Sequence, residues 1–92
     1  MDIENKDNGI TGTMHAMDNG KLAGKMTYSW AGDDRIIIDH TEVPQEYRGK
    51  DVGKQMVRAI AEYARTKSIK VVPICRFAKA VFQKESELSD VL

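Results

Sequence analysis

Arg48-Gly49-Lys50-Asp51-Val52-Gly53-Lys54 is the stretch whose residue types and spacing best suit an anion. It lies between an apparent strand that ends near Pro44 and a helix that begins near Asp51. The first amides of a helix have no intrahelical acceptor, and the helix dipole favours negative charge there. Gly49 and Gly53 would let a phosphate approach the backbone closely, while Arg48, Lys50 and Lys54 add positive charge. The pattern describes a candidate pyrophosphate cradle. It lacks the Ser/Thr of a P-loop and is not a dinucleotide fingerprint. The same residues also fit ordinary turn and cap chemistry, with Asp51 as the helix cap.

Three further side chains could take part in group transfer. His40 and Glu42 are two residues apart on one strand, so they share a face, and either could accept a proton from an attacking amine. Cys75 falls between a strand and a helix, where a helix N-terminus lowers a thiol pKa and favours a nucleophilic thiolate. Against these stand plain readings: strand-end residues in solvent for His40 and Glu42, and simple packing for Cys75. With two histidines and one cysteine, none at ligand spacing, no dedicated metal site is expected.

Around these residues the 92-residue chain reads as a single domain of class α+β. Strands are expected over Ile10–Met17, Lys21–Trp30 and Arg35–Val43, the first two joined by the hairpin signal Asp18-Asn19-Gly20. These form a three-stranded antiparallel meander. The apolar stripe Val52, Met56, Val57, Ile60, Ala61, Tyr63 and Ala64 predicts a helix. A parallel strand over Ile69–Ile74 and a helix over Arg76–Lys84, with Phe77, Val81 and Ala80 inward, complete the order. Residues 85–92 read as a short helix or a fraying tail.

Basic and acidic residues number 14 each, which argues against a general nucleic-acid binder. No apolar run approaches a bilayer span and the first residues are polar, so neither a membrane anchor nor a signal peptide is expected. The lone cysteine suits a reducing interior, and cytoplasmic location is the default.

Val43-Pro44-Gln45-Glu46-Tyr47-Arg48-Gly49-Lys50-Asp51-Val52-Gly53 resembles the strand–helix junction of the GNAT acyltransferase superfamily, Gln/Arg-x-x-Gly-x-Gly/Ala. Arg48 and Gly53 match; Asp51 replaces the central glycine. With His40-Thr41-Glu42-Val43-Pro44 and Val71-Val72-Pro73-Ile74-Cys75, the chain is most similar to a compact single-domain branch of that superfamily. The resemblance implies acetyl-CoA as cosubstrate and transfer to an unidentified amine, with no metal. Pantetheine would pair beside Val43, and the diphosphate would sit on Gly49, Lys50, Asp51, Val52, Gly53 and Lys54 near Arg48. Cys75, His40 and Glu42 would be the catalytic candidates. Larger GNAT proteins carry an Asn and a Tyr where this chain has Cys75 and Phe82, so the tyrosine acid is missing. A CoA-binding module without catalysis and a protein-interaction domain are the alternatives, as a monomer or weak homodimer.

Overall fold

A computed structural model describes residues 1–92. The elements are β1 (Asp2–Asp7), β2 (Thr11–Asp18), β3 (Lys21–Trp30), β4 (Arg35–Glu42), α1 (Val52–Lys67), β5 (Lys70–Pro73) and α2 (Arg76–Lys84). They form one five-stranded sheet in the order β1-β2-β3-β4-β5, antiparallel except for the parallel pair β4–β5. The α+β reading holds, with one strand more than the pattern predicted.

That extra strand is β1. Its sequence, Asp-Ile-Glu-Asn-Lys-Asp, has no alternation to detect, and only Ile3 packs against the core. Polar contacts hold it instead. The Asp7 carboxylate accepts from Tyr28 Oη at 2.6 Å, Tyr63 Oη at 3.0 Å and Trp30 Nε1 at 2.9 Å, and from the Gly9 amide at 2.7 Å. One carboxylate therefore joins β1, β3 and α1. Gly12 leaves the room that Tyr28 needs: a Cβ there would lie 2.1 Å from the tyrosine ring.

The β2–β3 hairpin turns at Asn19 and Gly20, whose φ values of +50° and +86° are those the Asn-Gly pair predicts. Along β3, fully buried Met26 and Tyr28 alternate with half-buried Lys25, Thr27 and Ser29. The buried face meets α1 through Val52, Met56, Val57, Ile60, Ala61 and Ala64, the stripe expected from sequence. In α2 the buried side chains are Ala78, Val81 and Phe82; Phe77 and Ala80, expected inward, are exposed, Phe77 at 44%. Of the two expectations for the last residues, the short helix holds and the fraying tail does not. Ser86–Val91 forms a 3₁₀ turn that buries Leu88 and Val91, and Arg65 grips Asp90 with two hydrogen bonds of 2.8 Å.

Burial raises the Asp7 pKa, but the hydrogen bonds from Tyr28, Gly9, Trp30 and Tyr63 outweigh it and hold the carboxyl below its ordinary 3.8. A folded pKa below the unfolded one adds stability above the unfolded value, and that stability is lost as pH falls through the folded value. Asp7→Ala should therefore cost about 1 kcal/mol at neutral pH, from lost hydrogen bonds, since Tyr28 Oη keeps Asn5 as an acceptor and the other donors reach solvent. In urea titrations the gap to the parent protein should narrow in acid below about pH 4.

Candidate active site

The site begins where β4 and β5 part. Their pairing runs from Arg35–Lys70 to Ile38–Pro73, and the Cys75 amide makes one last bond to the Ile38 carbonyl at 3.2 Å. β4 goes on to Glu42 with a partner on the β3 side only. One edge of its last residues is therefore open to a cleft.

A bulge decides which side chains face that cleft. Thr27 pairs with His40 and Tyr28 with Ile38, leaving Asp39 as an extra residue in β4. The alternation of Ile36 and Ile38 is interrupted, so Thr41, opposite buried Met26, turns to the helix side. His40, opposite Thr27, and Glu42, opposite Lys25, turn to the other face. They share that face as expected and bond to each other, His40 Nε2 to Glu42 Oε1, at 3.1 Å. Both are largely solvent-exposed, at 65% and 63%.

Between β4 and α1 the chain is tied down at Tyr47. Its ring is buried, and its hydroxyl donates to Asp18 Oδ2 at 3.0 Å. Lys21 and Glu46 add an ion pair of 2.7 Å beside it. Gly49 and Asp51 then take left-handed conformations, φ +82° and +61°. Asp51 is thus not the side-chain cap expected from sequence, since it makes no capping hydrogen bond. It stands in a conformation that suits glycine and that aspartate tolerates better than most residues. The Gln55 amide is the first in α1 to reach a helical carbonyl, Asp51 O at 3.0 Å. The amides of Val52, Gly53 and Lys54 before it have no protein acceptor.

These amides border a groove of about 680 Å³. Of the predicted cofactor residues, Val43, Arg48, Gly49, Asp51, Val52, Gly53 and Lys54 line it. Lys50 does not; its ammonium lies 5.7 Å from the centre of the Tyr47 ring. Arg48 Nε bonds the Val43 carbonyl at 3.4 Å. The opposite wall comes from α2 and its end, Phe77, Val81, Lys84 and Glu85, which no sequence signal marked. The absence of a side chain at Gly53 has its own explanation here. A Cβ would meet the Phe77 ring at 2.3 Å, so this glycine lets the two helix starts close on each other.

Cys75 sits at the start of α2, half-buried, and does not line the groove; its neighbour Thr41 does. The thiol lies 3.5 Å from Thr41 Oγ1. Burial pushes the thiol pKa up, but hydrogen bonds from the Thr41 hydroxyl and from the backbone at Ala78, Phe77 and Thr41 outweigh it, leaving the thiol below its ordinary 9.0. No cluster of three or more His, Cys, Asp or Glu side chains could hold a metal, and no helix is long and apolar enough to cross a membrane.

The family model for GCN5-related N-acetyl-transferases matches residues 13–91. The chain belongs to this family. A GCN5-like protein of Staphylococcus aureus, solved by NMR, is 33% identical over 96% of this chain and 85% of its own, with a TM-score of 0.70. A ribosomal-protein-alanine N-acetyltransferase of Brucella melitensis, at 19% identity, shares the fold: TM-score 0.71 over 85% of this chain and 62% of its own. Among curated proteins, NATD1 of Danio rerio is 28% identical over 61 residues, 66% of this chain and 54% of its own. The chain thus spans little more than half of that relative's length.

Two measurements probe this geometry. Asp51→Gly should relieve the left-handed strain and raise stability by about 0.5 kcal/mol, whereas Asp51→Val should lower it by about 1 kcal/mol or more; thermal melts report both. Thr41→Val removes a hydrogen bond to the thiolate, so the midpoint of pH-dependent alkylation of Cys75 should move to higher pH.

Proposed function

We propose that this GNAT protein transfers an acetyl group from acetyl-CoA to an amine. The unpaired amides of Val52, Gly53 and Lys54, opening into a groove flanked by Arg48 and Lys54, carry the reading. An anion there gains hydrogen bonds that the fold leaves unmade, together with the positive end of a 16-residue helix. The glycine-free Asp51 still holds the turn that a glycine would, which keeps these amides aligned despite its carboxylate. Pantetheine would extend the sheet along the free edge at Thr41–Val43, where β4 has lost β5 as a partner.

Family relatives of low identity support the cosubstrate. An aminoglycoside N-acetyltransferase with CoA bound aligns at a TM-score of 0.61 and 15% identity, and a Clostridium acetobutylicum protein with acetyl-CoA bound at 0.65 and 14%. Acetyl-CoA supplies an activated thioester carbonyl. The amine nitrogen attacks that carbon, the carbon–sulfur bond breaks, and the nitrogen gives up a proton as the thiolate leaves. His40, steadied by Glu42, accepts that proton directly or through water. The pair stands on the face of β4 opposite to Thr41, so donor and acceptor would approach the parted strands from different sides.

A second reading has its own observation, the Cys75 thiol at the start of α2 and 3.5 Å from Thr41 Oγ1, surroundings that lower its pKa. Here the Cys75 thiolate attacks the thioester carbonyl and releases the CoA thiolate, and the amine then displaces Cys75 from the acetyl carbon. Intact mass decides between the two. An acetylated species with acetyl-CoA alone, absent from Cys75→Ser, supports the relay; full turnover by Cys75→Ser supports direct attack.

Acetyl-CoA at 100 times its Kd should stabilise the fold by roughly 2.7 kcal/mol in thermal melts. In a labelled sample the amide resonances from Gly49 to Lys54 should move, and release of free thiol should need an added amine. Unmoved resonances at saturating acetyl-CoA would overturn the reading.

A further inference from the structure

The groove that offers its amides to an anion is itself lined by two carboxylates, Asp51 and Glu85. Glu85, directly after α2, lies on its wall with a side chain only 13% exposed. Its Oε1 accepts from Arg58 at 2.5 Å and lies 3.4 Å from Lys54 Nζ. Both cations are far more open, at 52% and 41%. Lys54 carries one of the unpaired amides, and Arg58 follows it by one helical turn, on the same side of α1. The carboxylate is therefore drawn in towards the start of α1, and the two basic side chains nearest the groove on that helix are neutralised from inside the protein. Glu85 is held below the ordinary carboxyl range by Arg58 first and Lys54 second, so it carries its charge at neutral pH.

We propose that Glu85 is a resident counter-ion of the anion groove, which releases Lys54 when a diphosphate ligand seats on the α1 amides and so sets the affinity and selectivity of the site. The inference rests on the CoA reading above. Glu85 offsets the positive charge that Lys54 and Arg58 bring to this side of α1. A small anion would gain the amides but would meet Glu85 and a lysine already engaged. A diphosphate attached to a longer ligand brings further contacts along β4 that offset the loss of the Lys54–Glu85 pair. Like charges at close range inside a groove are screened less than on open surface, so removal of the carboxylate should be felt directly in binding.

Calorimetric titration of the full chain with CoA, and separately with inorganic pyrophosphate, tests this. Glu85→Gln keeps the size and hydrogen-bonding capacity and removes the charge. Its CoA Kd should fall about three- to tenfold, with a larger relative gain for pyrophosphate, which has no other contacts to rely on. Glu85→Ser should act in the same direction if the glutamine variant folds poorly, and Glu85→Asp should stay near the parent. If the parent binds CoA and the uncharged variants bind equally or less tightly, the counter-ion role is wrong and the CoA reading stands. If neither parent nor variants bind CoA, the CoA reading fails and takes this inference with it.

Discussion

Side chains alternate along a strand, so the extra residue Asp39, opposite the Thr27–Tyr28 step, exchanges the two faces of β4 for everything that follows it. Before the bulge, Ile36 and Ile38 point into the core. After it, Thr41 takes the helix side, and His40 and Glu42 take the other. Without the bulge, an imidazole and a carboxylate would be directed towards Met26 and the start of α1, into the groove itself. With it, polar chemistry stands on an open face, while a hydroxyl and a thiol meet on the inner one. The chemical division of the site into two sides therefore follows from one inserted residue.

The second support is the docking of α1. Met26, Tyr28, Ile36 and Ile38 are fully buried, as are Met56, Val57 and Ile60 of the helix, and this packing fixes where the helix starts. The buried Tyr47 fixes the approach to it, through its bond to Asp18 at the end of β2. Between these anchors, Gly49 and Asp51 supply the two left-handed turns that aim the first amides of α1 into the groove. The affinity of such a site for anions is electrostatic in origin, while the rigidity that makes it useful comes from apolar packing on the far side of the same helix.

Much of this was readable in the chain, and the failures have definable causes. The Asn19-Gly20 turn, the apolar stripe of α1 and the glycine-rich junction carry strong local signals, and each lies where expected. β1 escaped because an edge strand with a single packed apolar residue has no periodicity, and its hold on the fold is a carboxylate shared by distant aromatic donors. Phe77 is of a residue type that usually packs into a core, but its ring covers Gly53. Asp51 looked like a cap because aspartate is a favoured N-cap, yet the turn needed its tolerance of positive φ and not its oxygen. Lys84 and Glu85 reach the groove only through the placement of α2, which no short pattern encodes.

The arrangement at the first strand also bears on solubility. β2 beneath it alternates Met14 and Ala16, both buried, and has no Asp, Glu, Lys or Arg between Thr11 and Met17. A bare edge of that kind invites strand addition from another molecule. β1 covers it with a row that includes Asp2, Glu4, Lys6 and Asp7, presenting charged side chains at the sheet margin. A strand with a single packed apolar residue thus forms the margin of the sheet, and Asp7 ties its end to β3.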